Sequence, residues 1–251
     1  MSLQERKVSQ FFDAIAEDYA GRYNSSDAYY RYYFNQRLEA ATEGLDFEGK
    51  TILDIGAGTG QLFDLIKKKT AAFEYFACDI SPAMLDKSTI PKSCRFAGTI
   101  FELPFKMQNF DFIFMLGLTT YIGKAEFKKM VPFLENKINP GGLFVISFTN
   151  RNSWDFKIRQ GIHFFVKNKF FRKKIIGQSF KTEAFSLAEV EKIMRPHFEI
   201  KKKVWLNQTF FPLNRLFPRP SVFVAKIVKR NALFSKLLPF LSDDFLVFLE
   251  R

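Results

Sequence analysis

The sequence contains little cysteine and little histidine, with two residues of each among 251. Cys78 and Cys94 have neither the spacing of a zinc site nor that of a disulfide framework. The two histidines, His163 and His197, stand far apart in the chain. We therefore expect no metal site. Because sparse cysteine is typical of a reducing compartment, we expect a cytoplasmic protein.

The sequence also lacks long uncharged apolar runs. No stretch of about 18 such residues occurs, so we expect no helix that spans a membrane. The first residues, MSLQERKVSQFF, carry charges where a secretion signal has an apolar run.

Acidic residues are outnumbered by basic ones, and the formal net charge is +12. An excess of this size favours an anionic partner, such as a phosphate-bearing substrate, nucleic acid or an acidic membrane surface. A lysine-rich solvated surface would give the same charge. Composition alone leaves these alternatives open.

The first 48 residues predict a helical segment. Val8, Phe11, Ile15 and Tyr19 recur at spacings of three and four, as on one face of a helix. Residues 24–27 break this pattern and can cap a second helix. Six of the eight tyrosines lie in this segment.

From residue 49 to 150, short apolar runs alternate with helical segments. The runs are 51–55, 73–79, 94–98, 110–116 and 142–148, and the helical segments are 61–69, 81–87 and 124–138. This alternation predicts an α/β fold with a mostly parallel sheet that is covered on both faces. Pro140-Gly141-Gly142 predicts a tight turn before the fifth strand.

The rest of the chain divides into three parts. Residues 151–185 are rich in basic and aromatic residues. Residues 186–230 are expected to complete the sheet, with a helix that Ser186 and Glu189 cap, strands at 198–206 and 221–228, and an antiparallel last strand. Residues 231–251 predict an apolar helical tail. We expect one domain with these additions.

A glycine-rich turn, Asp54-Ile55-Gly56-Ala57-Gly58-Thr59-Gly60, follows the first predicted strand and precedes a helix. Glycines allow the backbone to turn sharply and to approach a ligand closely. A dinucleotide fingerprint needs a small residue where Gln61 stands, and a P-loop needs a Gly-Lys-Ser/Thr ending. Both kinds of nucleotide site are therefore disfavoured.

The pattern D-x-G-x-G-x-G instead resembles the S-adenosylmethionine (SAM) loop of class I methyltransferases. Residues 79–85 resemble the D-x-S-x-x-M-L that follows the second strand of that family. Residues 96–105, 110–111 and 139–142 resemble its later motifs in the same order, over about 8–150. The chain is most similar to small-molecule methyltransferases related to ubiquinone and menaquinone biosynthesis, which implies a Rossmann-like doubly wound sheet.

The resemblance implies a set of SAM-binding residues. Asp79 would accept hydrogen bonds from the ribose hydroxyls, and Met84 would pack near the adenine. Thr99 stands where the family often has an aspartate, with the Ile100 amide beside it. In similar enzymes an N-terminal helix closes over SAM, so residues 1–48 would form a helical lid, and Tyr19, in an F-D-x-x-A-x-x-Y pattern, would reach the methionine carboxylate. The full predicted set is Tyr19, Asp54, Gly56, Ala57, Gly58, Gly60, Asp79, Ile80, Met84, Thr99, Ile100 and Leu116.

Methyl transfer from a sulfonium is a direct displacement, so it needs alignment and exclusion of water more than a catalytic triad. Tyr121, after the fourth strand, could position an acceptor or only pack its loop. His163 could act as a base, although a lone histidine is more often structural. The missing N/D-P-P-Y/F motif argues against adenine or glutamine nitrogens as the methylated atoms.

The acceptor stays open at the level of sequence. We expect a small-molecule or lipid-linked acceptor of amphipathic or anionic character, and the basic aromatic segment 163–174 could bind it, a membrane surface or single-stranded nucleic acid. A buried aromatic face with a basic exterior explains that segment equally well. RNA methylation is the least favoured enzymatic hypothesis. The alternative to an enzyme is a non-catalytic SAM-binding, membrane-binding or partner-binding protein with the same fold.

Overall fold

The computed structural model describes residues 2–104, 109–165 and 182–251, without the side chains of residues 162–165 and Ala232. One sheet contains seven strands in the order β3-β2-β1-β4-β5-β7-β6. The strands are β1 Lys50–Ile55, β2 Phe73–Asp79, β3 Arg95–Ala97, β4 Phe110–Met115, β5 Ile138–Thr149, β6 Glu199–Leu206 and β7 Asp244–Glu250. Strand β7 runs antiparallel to both of its neighbours, β5 and β6, and the other paired strands are parallel. The predicted doubly wound, mostly parallel sheet with an antiparallel last strand is confirmed.

Helices cover both faces of this sheet. In the described residues they are α1 Leu3–Tyr19, α2 Ala28–Thr42, α3 Gln61–Lys67, α4 Pro82–Asp86, α5 Lys124–Glu135, α6 Trp154–Phe165, α7 Leu187–Met194, α8 Leu213–Leu216, α9 Pro218–Arg230 and α10 Leu238–Leu241. Predicted caps are present, because Asp27 accepts from the first amides of α2 and Ser186 and Glu189 form the capping box of α7. None of these helices is long and apolar enough to cross a bilayer.

The apolar core lies in two layers, one on each side of the sheet. Alternation along β1 sends Leu53 and Ile55 into the layer beneath α5 and α7, and Ile52 into the layer beneath α2 and α3. All three side chains are buried. The central strands are apolar on both faces, as strands covered on both sides must be.

Two predicted elements are wrong. The run 221–228 lies in helix α9, not in a strand, because Pro218 and Pro220 start a helix whose buried side centres on Ala225. The predicted helical tail contains strand β7, whose residues are buried on both faces between β5 and β6. Its run of large apolar side chains fits a fully covered strand. The other boundaries of the sequence-based division stay predictions.

The tight turn predicted at Pro140-Gly141-Gly142 is also placed differently. These residues lie inside β5, where the register against β4 shifts between Phe110 and Phe112. Gly141 has a φ of 75°, which favours glycine. The sequence signal therefore marks an irregularity within the strand and not a separate turn.

Candidate cofactor and acceptor site

The glycine-rich turn joins β1 to α3 at the carboxyl edge of the sheet. Gly56, Gly58 and Gly60 have φ values of 75°, 55° and 82°, in the left-handed region that glycine adopts without strain. A β-carbon on Gly56 would lie 3.1 Å from the Leu118 side chain, and one on Gly58 would lie 3.3 Å from Met84 Cε. The turn thus forms a close-fitting wall in which any side chain would take up the available space.

Asp79 lies at the end of β2, opposite this turn. Its two carboxylate oxygens accept from the amides of Gly58 at 2.9 Å and Ser81 at 2.8 Å. Each oxygen has two lone pairs, so each can accept one further hydrogen bond. Desolvation raises the pKa of Asp79 to about 6, although the backbone donors oppose that rise. This carboxylate has the acceptor capacity that a vicinal diol requires.

Asp54 has a different environment from Asp79. Its side chain is buried and accepts from the Tyr75 hydroxyl at 2.7 Å. Burial raises its pKa to about 7, against the effect of the Tyr75 hydrogen bond. Asp54 does not line the cleft that Asp79 lines, so any part it takes in cofactor binding acts through the backbone of the glycine turn.

Helix α1 crosses the carboxyl edge of the sheet as a lid. Gln4 Nε2 donates to the Tyr121 carbonyl at 3.0 Å, and Ser9 Oγ donates to the Ile80 carbonyl at 2.8 Å. Asp13 accepts from Ser81 Oγ at 2.6 Å. These bonds tie one helix to the loops after β2 and β4, which lie on opposite sides of the cleft.

We call the space under this lid the cofactor cleft. The cleft is lined by Val8, Gly56, Asp79, Ile80, Thr99, Ile100, Leu118 and Tyr121, with others from α1 and α5. Thr99 donates through Oγ1 to Glu102 at 2.7 Å, where the pair caps a short 3-10 turn over Ile100–Glu102. The Thr99 hydroxyl proton is therefore committed to Glu102, and an adenine amino group can reach only its oxygen lone pair.

Beyond Tyr121 the cleft continues into a second space, the central cavity, which Tyr19, Arg37, Gly117 and Tyr121 line with others. A third space, the outer cavity, shares Tyr33, Phe34, Thr149 and Asp244 with the central one. Its remaining wall includes Tyr29, Tyr30, Asp155, Arg159, Arg215 and Asp243. The three spaces form a series from the glycine turn to the outside.

Arg37 dominates the charge of the central cavity. Its Nη2 donates to Asp244 and to the Tyr33 hydroxyl, at 2.8 and 2.9 Å, and its guanidinium lies over the Tyr33 ring. A β-carbon on Gly117 would lie only 2.5 Å from Arg37 Nη1. Arg37 Nε is buried and has no hydrogen-bond partner among the described atoms. The cavity therefore contains a fixed cation with unused donor capacity.

The loop after β4 is held rigidly beside that cation. The Gly117 amide donates to Ser147 Oγ at 2.7 Å, and Thr119 Oγ1 donates to the Ser147 carbonyl at 2.8 Å. Gly117 and Leu118 face the cavities, whereas the predicted Leu116 packs into the core layer beneath α2. Tyr121 lines both the cofactor cleft and the central cavity, and its ring meets Phe12 of the lid edge-on at 5.1 Å.

The structure brings most predicted cofactor residues together, but their roles stay predictions. Tyr19 lines the central cavity close to Gly58, with Arg22 over its ring. Gly60 and Ala57 shape the turn, and Gly60 faces Ser88 and Ile90. His163 lies in α6, but its side chain is outside the described residues, as is the segment 166–181. The other histidine, His197, contacts Glu135 through Nδ1 at 2.6 Å.

Sequence reasoning missed several residues of the cavities. Arg37 and Asp244 are 207 positions apart, and no local pattern connects them. Arg215, which lies over Tyr29 and Tyr30, comes from a segment without a motif. Asp13 could have been found, because it belongs to the same F-D-x-x-A-x-x-Y pattern as Tyr19.

Comparison with known proteins identifies the domain that carries this cleft. A family model described as a methyltransferase domain matches residues 52–142, from β1 to the start of β5. Those residues form a methyltransferase domain. The prediction of a class I SAM-dependent methyltransferase is confirmed, while the ubiquinone-related subtype stays a prediction. A comparison with curated protein sequences finds no match.

Solved methyltransferases share the fold of this methyltransferase over nearly its whole length. A magnesium protoporphyrin IX methyltransferase from Synechocystis with bound S-adenosylhomocysteine (SAH) has a TM-score of 0.68 at 12% identity, covering 99% of both chains. A SAM-dependent methyltransferase from Thermotoga maritima gives 0.63 at 16%, covering 96% of this chain and 98% of the other. An N-methyltransferase from Bradyrhizobium japonicum with SAH gives 0.59 at 11%, covering 98% of both. At these identities the likeness establishes the fold.

Proposed function

We propose that this methyltransferase binds SAM in the cofactor cleft and transfers its methyl group to a small-molecule or lipid-linked acceptor in the central and outer cavities. The observation that carries the proposal is the adjacency of the spaces: Tyr121 lines both the cofactor cleft and the central cavity, and four residues line both the central and the outer cavity. A methyl group presented there would face the acceptor side without passing through solvent. The neighbours with bound SAM or SAH support the same cofactor.

The described residues fit SAM. Asp79 has one spare acceptor site on each oxygen for the two ribose hydroxyls. The glycine turn leaves space that a side chain would fill, and Ile100 offers apolar contact for the adenine within the cleft. Met84 is buried behind Gly58 and does not line the cleft, so its predicted contact with the adenine would be indirect. Arg37, Arg22 and the Tyr19 hydroxyl provide donors on the side of the central cavity, where a carboxylate would be bound.

Bound SAM supplies an activated methyl group, and the protein supplies alignment and exclusion of water. Helix α1 closes the cleft through the hydrogen bonds of Gln4, Ser9 and Asp13. We propose that Tyr121 positions the acceptor. His163 stays a proposed base, which the reaction needs only if the acceptor must lose a proton in the transition state.

The polar and aromatic walls of the outer cavity support a small or amphipathic acceptor. Tyr29 and Tyr30 provide aromatic surface on which Arg215 lies as a cation, and Arg159 is a second cation, paired with Asp155. Such a wall can bind an aromatic or apolar body together with an anionic group.

The decisive experiment is calorimetric titration of the full chain with SAM and with SAH, repeated for Asp79→Ala. We expect micromolar binding of both ligands, and a loss of more than tenfold in affinity for the variant. Unchanged affinity in Asp79→Ala would remove that residue from the site. Binding without methyl transfer to any of a panel of amphipathic and anionic acceptors would favour the non-catalytic alternative.

A further inference from the structure

Residues 213–241 expose more large apolar side chains than any other part of the described chain. Nine of the thirteen exposed large hydrophobic residues lie there, among them Leu216, Phe217, Phe223, Val224, Ile227 and Leu233. Leu233 is 84% exposed. Single exposed apolar residues are ordinary, but a concentration of this kind marks an interaction surface.

The same residues carry charge of one sign. Residues 213–241 contain six Lys or Arg and no Asp or Glu, and the acid-free stretch extends from 200 to 242. Most proteins disperse both signs over their surfaces. Glu39 and Glu43 of the adjacent helix α2 lie near Lys229, but the segment itself is apolar and basic, and is complementary to a partner that is both apolar and acidic.

Helix α9 shows how the two features are arranged. Phe223 and Ile227 are four residues apart and lie on one exposed stripe, while Ala225 is buried. Arg219 and Lys226 stand four residues before and three residues after Phe223, so the basic side chains flank the stripe on the same outer side. Apolar side chains between cations with long flexible stems are typical of helices that lie in a membrane interface.

The neighbouring elements extend this surface. Helix α8 and the 3-10 turn at Ala232–Phe234 contact α9, and α10 contacts α6, where Trp154 and Ile158 are also exposed. Arg215 of α8 reaches the wall of the outer cavity. The surface therefore borders the entrance to the proposed acceptor space.

We propose that residues 213–241 form a docking surface for an anionic lipid bilayer. The apolar side chains would enter the headgroup region, and the five basic residues other than Arg215 would contact acidic lipids. A second copy of the chain fits less well, because two identical basic surfaces would repel each other. Nucleic acid also fits less well, because most of the exposed apolar residues are aliphatic and cannot stack on bases.

This docking does not depend on methyl transfer, so its test is separate from that of the proposed function. The full chain would be co-sedimented with phosphatidylcholine vesicles with and without phosphatidylglycerol, at low and at high salt. We expect strong binding only to the anionic vesicles, weakened by salt. Equal partitioning to neutral and anionic vesicles, or no binding to either, would overturn the proposal.

Matched variants locate the surface. Phe223→Ser with Ile227→Ser, and Lys226→Gln with Arg230→Gln, should each lower partitioning about tenfold or more. The controls are Leu3→Ser, an apolar residue on α1 that is at least as exposed as the two test residues, and Lys67→Gln with Lys68→Gln at the end of α3. Both controls should bind like the wild type. Circular dichroism and SAH titration would verify that each variant is folded.

Three further outcomes would assign the surface elsewhere. Undiminished vesicle binding in both test pairs would move the contact to another basic segment. A concentration-dependent dimer in light scattering that Phe223→Ser with Ile227→Ser abolishes would make the surface an interface between copies. Retention on single-stranded RNA that exceeds retention on vesicles at equal salt would favour nucleic acid.

Discussion

At the scale of single residues, the two aspartates near the glycine turn have distinct electrostatic states. Asp79 faces the cofactor cleft with a pKa raised to about 6, and Asp54 is buried against Tyr75 with a pKa raised to about 7. Both rises come first from desolvation of the carboxylate. Asp13 of the lid raises the pKa of Asp79 further by its charge. Ligand binding at this site should therefore depend on pH in the weakly acidic range.

We expect SAM affinity to fall about tenfold between pH 7 and pH 5. Above its pKa Asp79 is ionised and accepts from the ribose, whereas below about pH 6 its proton removes an acceptor site, so the affinity is present at high pH and lost at low pH. Calorimetry across this range measures the effect. Asp79→Asn should bind SAM weakly, with an affinity that does not change between pH 7 and pH 5. Any change that remains in this variant would come from titration of SAM itself, so the variant is also the control for the ligand.

Asp54→Asn provides the second control, because Asp54 titrates nearby. The SAM affinity of Asp54→Asn should still fall below about pH 6, as in the wild type. If that variant, and not Asp79→Asn, proved flat, Asp54 would be the group that governs cofactor binding.

Gly117 tests the packing around Arg37. Gly117→Ala should lower the free energy of unfolding by about 1–3 kcal/mol more than Gly44→Ala, because the new methyl group displaces Arg37 from its largely buried pair with Asp244. Gly44 has a φ of 72° against 77° for Gly117, but it has no atom near the β-carbon position, so the backbone strain of the two variants matches. Urea denaturation gives both values. Equal losses would show that Arg37 moves aside freely.

At the scale of elements, the sequence predicts the lid helix but not the contacts that hold it in place. The resemblance of residues 12–19 to the methyltransferase pattern implies a helix that closes over the cofactor, and α1 lies over the cleft. Its hydrogen bonds to Ile80, Ser81 and Tyr121 depend on how the loops after β2 and β4 are placed in space, which no local pattern specifies.

Asp13→Ala should loosen this lid. The Asp13 carboxylate accepts from Ser81 Oγ and from the Ala83 amide, and its loss leaves α1 with fewer ties to the end of β2. We expect SAM affinity to fall roughly three- to tenfold and amide hydrogen exchange in α1 to accelerate. Asp18→Ala, an exposed acid on the same helix, is the matched control. Identical exchange in the two variants would show that Asp13 does not hold the lid.

The elements that sequence reasoning misassigned share a cause. Residues 221–228 are rich in Val and Ile, which favours a strand, but the prolines before them and the packing of Ala225 produce α9. Residues 245–249 are five large apolar residues in succession, and a run of that kind has no period from which helix and strand could be told apart. The core strands β1 to β4 were predictable because turns and helices bound each apolar run.

At the scale of the whole molecule, the fold joins a locally encoded cofactor half to an acceptor half that long-range contacts build. The glycine turn and Asp79 lie within 25 residues of each other along the chain, so their motifs are visible in the sequence. Arg37, Tyr33, Asp244 and Arg215 come from distant segments that meet only in the folded state. The class of reaction was therefore predictable, and the walls of the acceptor space were not.

Cofactor binding should stabilise the entire fold. SAH at one hundred times its Kd should add about 2.7 kcal/mol to the free energy of unfolding, which for a chain of this size raises Tm by roughly 5–10 °C. Differential scanning fluorimetry measures this shift. Asp79→Ala at the same SAH concentration should gain about half as much or less. An equal gain in the variant would place SAH outside the cleft.

The position of β7 has a consequence for folding of the protein during its synthesis on the ribosome. Strand β6 touches the rest of the sheet only through β7, which is synthesised later. Until β7 leaves the exit tunnel, the nascent chain holds β6 and the open side of β5 as unpaired edges with apolar faces. During that interval a holding chaperone has its clearest target on this polypeptide, and a translational pause before residue 244 would prolong the exposure.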